Sequence, residues 1–482
     1  MKYRRLKKAA MIGAGAAAAG TVAAKWAARR LVDKVHDDAL TILMQDLYEE
    51  NLWEMVSSTA RIGLQTAMET NLRSTMGRTI ARPMGPPKKF PSLDELVFNI
   101  AQLYTMPTPL EQKIDTRVII GKKSEKPFTI DMPVMIAPMA YGTALTRKAK
   151  VALAKGSAMA GIATNTGEGP FLTAERQAAD ILIYQYNRGD WGKTPGIMRQ
   201  CDAIEIQLGQ GAIGGVGHIL KADLLDKELR NAFHYPKGKD VVAHSKQPEV
   251  QQPEDLRDLV IELKTLGEGV PIGVKMAAGK YLEADLDWVC RSGVDFIALE
   301  GAEAATKGSA PILQDDFGVP LVFAITRTAN WLKQHGFKDR VSLIACGKIV
   351  TPGDMLKVCA LGADACYIGT IALFAMSHTQ VTKALPFEPP TQLIWYDGKE
   401  GKQFDIDKGA DALYRFLMAC KEEMDEGIKA LGKTALCQVD REDLSALNET
   451  IARGCKIPMV YEPFVFEEKE GPKKAPKQKN RQ

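Results

Sequence analysis

What most limits the fold of this chain is a rhythm. Eight continuous apolar runs alternate with stretches of helical periodicity between residues 132 and 370. The runs are "MPVMIAPM" (132–139), "GIATNT" (161–166), "ILIYQY" (181–186), "AIEIQLG" (203–209), "VPIGVKMA" (270–277), "DFIALEG" (295–301), "VSLIACG" (341–347) and "ACYIGT" (365–370). A strand buried on one face alternates apolar and polar residues, whereas a strand buried on both faces reads as an unbroken apolar run. Helical patterns such as "TRKAKVALAKGSAMA", "LTAERQAA", "EADLDWVCRSG" and "PGDMLKVCALG" lie between the runs. Repeated βα units of this kind predict an α/β fold with a closed (β/α)8 TIM barrel.

The barrel pattern predicts a domain over 93–385 with segments on either side. Residues 1–30 hold five basic residues followed by the run Ala9–Ala24, 16 residues rich in Ala and Gly. The order basic-then-apolar predicts a membrane anchor, with a peripheral helix or a cleaved signal as the alternatives. Residues 31–80 carry apolar residues at helical spacing, and "ARPMGPPKKFPS" (81–92) is a Pro-rich linker, so 31–92 reads as a helical segment plus linker. A C-terminal helical extension with a basic tail is expected over 386–482, and a stretch of polar loop (211–252) after the fourth strand reads as a lid or substrate loop.

Composition narrows the class. Net charge is +4 over 482 residues and the excess sits partly at the two ends, which argues against a nucleic-acid partner. The eight cysteines form no C-x-x-C pair, which argues against zinc and against a secreted disulfide framework. The expected setting is the cytoplasm or the cytoplasmic face of a membrane, with no metal site.

Function in such a barrel gathers where strands end. These ends read "APMAYGT", "TNTGEGP", "QYNRGDWG", "EIQLGQGA", "GVKMAAG", "EGAEAATKGSAP", "ACGKIVTPGD" and "YIGT". Gly347, before a helix starting at Pro352, and Gly369-Thr370, opening another helix, offer backbone N–H groups to a phosphate. Lys275 stands alone in the apolar run "IGVKMA". A lysine there is either a fixed positive charge beside an electron-accepting ring or half of an ion pair with a barrel carboxylate. No G-x-G-x-x-G follows a strand, so a phosphate site plus this lysine points to FMN rather than a dinucleotide.

The runs "PVMIAPMAYGT", "NTGEGP", "IEIQLGQGA", "GVKMAAG", "SLIACGKIVTPGDM" and "LGADACYIGT" resemble the FMN-binding synthase domain of glutamate synthase, and more narrowly the stand-alone glutamate-synthase-related proteins. The resemblance spans roughly residues 95–385. It implies FMN and the reduction, by hydride from the flavin, of a 2-imino acid formed from a 2-oxo acid (2-oxoglutarate in the family) and ammonia. It implies catalytic roles for Lys275, Glu168 and Gln207, and cofactor contacts from Met139, Ala140, Thr143, Asn165, Gln207, Lys275, Gly347, Lys348, Gly369 and Thr370. Gln185, Arg188, Gln210 and His218 are the expected substrate contacts, with Arg176 a further cation. An external electron-donor protein, ferredoxin-like or a reductase, is implied as partner.

The chain departs from the family pattern in three places. No cysteines follow strand eight in "IALFAMSHTQVTKALPFEPPTQ", so no iron–sulfur cluster is expected. The family's "IKMAQGAKPGEGG" carries lysines where this chain has Gln207 and Ile213, and a Glu where it has Val216. Its Gly-Gly-Thr after strand six is Ala304-Ala305-Thr306 here. Alternatives to the synthase reading are another FMN barrel chemistry, such as 2-hydroxy-acid oxidation, and a membrane-tethered flavin-binding or electron-transfer scaffold without turnover.

Overall fold

The computed structural model describes residues 2–45, 47, 52–82, 84–211, 213–304, 307–386, 388 and 390–463. The chain divides into two units, residues 1–80 and 81–482. The first unit is helical: Lys2–Gln45, Leu52–Ile62 and Leu64–Met76. The 44-residue opening helix runs straight through the expected break at residue 30. No helix among the described residues is long and apolar enough to cross a membrane, so the expected anchor is not supported as a span. The physical reason is length: an apolar run of 16 residues falls short of the roughly 20 needed, and it is flanked by Arg5, Lys7 and Lys8 on one side and Lys25, Arg29 and Arg30 on the other.

The second unit is built on eight parallel strands: β1 (Val134–Ile136), β2 (Ala163–Asn165), β3 (Ile181–Tyr186), β4 (Ala203–Gln207), β5 (Ile272–Ala277), β6 (Phe296–Glu300), β7 (Ser342–Cys346) and β8 (Ala365–Ile368). Their order is β1-β8-β7-β6-β5-β4-β3-β2, so every strand but the edge pair bonds to its neighbours in sequence. The edge strands β1 and β2 lie against one another, which brings the sheet round into a barrel. Nearly every strand residue is buried, as the unbroken apolar runs require.

Helices cross between strands on the outside. Helix Arg147–Met159 joins β1 to β2, and its Thr146 caps Ala149 N–H. Helix Pro352–Ala360 joins β7 to β8 and begins with a capping box between Thr351 and Asp354. The C-terminal extension is tied into this body. Helix Ile406–Ala430 packs on helix Arg147–Met159, and strand Leu444–Ala446 pairs antiparallel with Leu96–Phe98.

The long segment after β4 is a small folded cap rather than an open loop. Strands His218–Leu220 and Val241–Ala243 pair as a ribbon around helix Lys227–Phe233. Leu225, Leu229, Phe233, Val241 and Ala243 form a satellite core with Tyr141 and Trp191, from the loops after β1 and β3. Tyr141 Oη donates to Glu228 at 3.0 Å and Tyr396 Oη to Asp226 at 2.5 Å. Gly142 sits under this cap with φ +83°, and a Cβ there would stand 2.1 Å from Leu229 Cδ1.

Candidate active site at the mouth of the barrel

In a parallel strand, alternate side chains point into the barrel. Register pairs Glu205 with Gly273, Gln207 with Lys275 and Ala277 with Glu300, so inward positions near the strand ends carry polar groups. These groups make one continuous network. Glu205 is fully buried; its Oε1 accepts from Asn165 Nδ2 at 3.1 Å and Gln185 Nε2 at 2.9 Å, and its Oε2 accepts from Tyr367 Oη at 2.8 Å. Gln185 Nε2 also reaches Gln207 Oε1 at 3.4 Å, and Gln207 Nε2 donates to Gln210 Oε1 at 3.3 Å. Lys275 Nζ donates to that same Gln210 oxygen at 3.1 Å and pairs with Glu300 Oε1 at 2.8 Å. Glu300 further accepts from Gly211 N–H at 2.7 Å and from the Cys346 thiol at 3.3 Å.

The charges follow from burial and pairing. Burial alone would push the Lys275 ammonium down, but the groups around it, Glu300 first, outweigh burial and hold it above its ordinary value. Lys275 is therefore a permanent cation. Burial raises the Glu205 carboxyl, and Lys275, Tyr367 and the two amides work against that rise. Burial and the neighbouring Glu300 keep the Cys346 thiol well above the ordinary range, hence neutral.

The loop "NTGEGP" follows β2 and packs against the loop after β1. Gly167 has φ +68°, and a Cβ there would lie 2.5 Å from Ala140 N. A Cβ on Gly169 would lie 2.8 Å from Tyr141 O. The glycines allow close packing of this loop on Met139–Tyr141. Lys150 underpins both loops, its Nζ donating to Met139 O at 2.7 Å, Asn165 O at 2.8 Å and Thr166 O at 3.2 Å. Glu168, in the same loop, is tied to β3's end. Its carboxylate accepts from Arg188 N at 2.8 Å, Nε at 3.1 Å and Nη2 at 3.1 Å. Arg188 is thus committed to Glu168, and Arg176 is bound to Asp202 at 2.6 Å.

The remaining expected residues divide between strand ends and cap. Thr143 lies half-buried in the turn between Tyr141 and Leu145. His218 lies on the cap's ribbon, within electrostatic reach of Glu168 and Arg188. Gly347 ends β7 with φ +143°, and Lys348 follows it, exposed and left-handed at φ +48°. The helix after them, Pro352–Ala360, is not open to a phosphate: Asp354 accepts from Val350 and Thr351 N–H, and Thr351 Oγ1 caps Asp354 N–H. Helix Thr370–Ser377 is different. Its cap, Gly369, has no side chain, so the first turn presents backbone N–H groups at the end of β8.

Sequence reasoning missed Glu205, Glu300, Tyr367 and Cys346. The signal for the two acids was the one used for Lys275: a charged residue inside an apolar strand run, in "AIEIQLG" and "DFIALEG".

A family model described as the conserved region in glutamate synthase matches residues 86–434. The glutamate synthase large subunit-like protein of Rhizobium meliloti (strain 1021) is 29% identical over 415 residues, covering 82% of this chain and 93% of that protein. An archaeal-type glutamate synthase [NADPH] of Dehalococcoides mccartyi is 30% identical over 379 residues, 75% of each chain. The archaeal glutamate synthase [NADPH] of Methanocaldococcus jannaschii is 30% identical over 355 residues, 67% of this chain and 68% of that one. Among solved structures, an oxidised active mutant of (S)-mandelate dehydrogenase covers 73% of this chain and 88% of its own at 15% identity and a TM-score of 0.48, too distant to carry an argument.

Proposed function

Because this chain belongs to the glutamate synthase family, we propose that the barrel mouth binds FMN and reduces a 2-imino acid, formed from a 2-oxo acid and ammonia, to the amino acid. The observation that carries this reading is Lys275, a buried cation held 2.8 Å from Glu300 and 3.1 Å from Gln210 at the polar end of an apolar barrel.

The residues present fit FMN. The uncapped first turn of helix Thr370–Ser377, with Gly347 and Lys348 beside it at the end of β7, suits a phosphate. Asn165, Gln185, Gln207 and Gln210 line the mouth with amides whose orientation is fixed: the first two donate to Glu205, and Gln207 donates to Gln210. Lys275 would supply a fixed positive charge to a bound flavin, whose ring gains negative charge on reduction. When bound, FMN supplies the hydride. Condensation of ammonia with the 2-oxo acid releases water, and the imine takes up the hydride and a proton. Two electrons must then return from an external donor protein, ferredoxin-like or a reductase. Residence in a reducing compartment belongs to the same reading and is supported by all eight cysteines being free, seven of them buried.

The experiment is a redox titration of the purified protein and of Lys275→Met. The wild type is expected to carry stoichiometric FMN and to be reoxidised, after reduction, by a 2-oxo acid with ammonia. In Lys275→Met the flavin potential should fall by a few tens of millivolts, where about 30 mV of a two-electron couple is ~1.4 kcal/mol. A variant that loses thermal stability at an unchanged potential assigns Lys275 to the ion pair alone. A protein that cannot be loaded with flavin ends the proposal.

A further inference from the structure

Residues 99–110 form a loop whose apolar side chains turn outward. Ile100, Leu103, Tyr104, Met106 and Leu110 are 64–84% exposed, and no residue of the loop is charged. The backbone is pinned. Asn99 N–H donates to Asp443 O at 2.8 Å, Ala101 N–H to Ala430 O at 2.9 Å and Thr108 N–H to Lys429 O at 3.0 Å. The last two bonds satisfy carbonyls that helix Ile406–Ala430 leaves open at its end. Gly432 lets the loop lie close, since a Cβ there would stand 2.3 Å from Met106 O. An apolar patch held in place and turned to solvent marks an interaction surface. It lies toward the end of the barrel where strands begin: Asp115 N–H donates to Thr434 O, and Thr116 Oγ1 to Asp131 O, just ahead of β1. A partner on this surface leaves the mouth open.

Charge indicates the kind of partner. Residues 2–30 hold eight lysines and arginines and no aspartate or glutamate, while the whole chain carries only +4, so the rest of the chain is net acidic. Lys25, Arg29 and Arg30 are exposed on helix Lys2–Gln45, and Val22, Trp26 and Val32 on the same turns are 62–67% exposed. The Arg30 guanidinium stands 4.9 Å over the Trp26 ring, and a tryptophan beside cations suits the headgroup level of a bilayer. An anionic bilayer surface supplies both chemistries in one partner: negative headgroups for the cations and an apolar interior for the loop. One weak attraction gives marginal binding, whereas two together hold a protein at a membrane. Because both features belong to one chain, attachment at one raises the effective concentration of lipid at the other.

We propose that residues 99–110 are a lipid-facing surface that sets its apolar side chains into an anionic bilayer, with the cations of residues 2–30 supplying the electrostatic half of the attachment. The contact is peripheral, in keeping with the absence of a spanning helix among the described residues. It is independent of the reading of the mouth.

The test is co-sedimentation of the full-length protein with vesicles of equal parts phosphatidylglycerol and phosphatidylcholine, and with vesicles of phosphatidylcholine alone. Binding to the mixed vesicles is expected, about tenfold weaker on phosphatidylcholine alone or in high salt. Leu103→Asp, at a position 84% exposed, should weaken binding to the mixed vesicles about tenfold and leave the melting temperature unchanged. The triple variant Lys25→Gln, Arg29→Gln, Arg30→Gln should weaken binding to the mixed vesicles and leave the residual binding to phosphatidylcholine as it was. A protein that does not sediment with the mixed vesicles overturns the proposal, and so does binding that Leu103→Asp leaves unchanged. A dimer in the absence of lipid that Leu103→Asp dissociates, with no vesicle binding, overturns it too and assigns the loop to a second copy of this chain.

Discussion

Lys275 shows how one residue carries two readings until its neighbours are known. A strand-interior lysine had to be either a charge for a ring or half of an ion pair, and the structure pairs it with Glu300 at 2.8 Å. The two roles are compatible, since a carboxylate that holds the ammonium in place also keeps it protonated. Glu303 poses a different problem. Burial pushes its carboxyl up to about 7 from an ordinary 4.5, although Leu321 N–H donates to it at 2.9 Å. Between those two values the folded chain keeps a proton that the unfolded chain has released, so this group's contribution to stability is lost as pH rises through the window. Glu303→Gln keeps the acceptor for Leu321 N–H and cannot ionise. Thermal melts of both proteins should show the variant gaining on the wild type from pH 5 to pH 8. A pH-independent difference would show that Glu303 does not titrate there.

At the level of elements, the loops decide what the strands can do. The loops after β1 and β2 are locked together by Gly167 and Gly169 packing on Met139–Tyr141, with Lys150 beneath them. The cap over residues 218–243 rests on Tyr141 and Trp191 through a core separate from that of the barrel. Leu229 is buried at its centre and fills the space that a side chain on Gly142 would need. Leu229→Ala removes buried methyl groups and leaves a cavity, a change that costs about 2–5 kcal/mol. Because the two cores are distinct, the loss should stay local. Hydrogen exchange should speed up across 218–243 while the barrel strands keep their protection. Equal loss of protection in β3 and β4 would show that cap and barrel unfold as one.

For the whole molecule, the main core draws on residues from Leu93 to Met459, so the N-terminal end of the barrel unit and the C-terminal extension are parts of one body. The pairing of Leu96–Phe98 with Leu444–Ala446 fastens its two ends. Residues 1–80 form a unit of their own. A chain comprising 81–482 should therefore fold, melt within a few degrees of the full-length protein and retain flavin. Calorimetry and the visible spectrum check this; aggregation or a flavin-free product would show that the helical unit is needed for the barrel.

The periodicity of apolar runs determined the barrel without help, because strands buried on both faces leave no other pattern and helices must cover them. Lone polar residues inside those runs likewise marked Lys275, and by the same logic would have marked Glu205 and Glu300. At the N-terminus two sequence signals conflict: the basic-then-apolar order predicts an anchor, while the Ala- and Gly-rich run of 16 residues is short for a span. Pairing was decided only in three dimensions. Arg188 reads as an available cation until Glu168, 20 residues earlier, is seen to occupy three of its N–H groups. His218 reads as a lone ring until the segment around it folds into a ribbon that brings it beside the Glu168–Arg188 pair. The helix at Pro352 reads as a phosphate cradle until Asp354 is found turned back on its own first turn. The closed strand ends bring side chains from distant positions within 3 Å of one another, and which charges cancel there depends on rotamers and loop packing that no local pattern encodes.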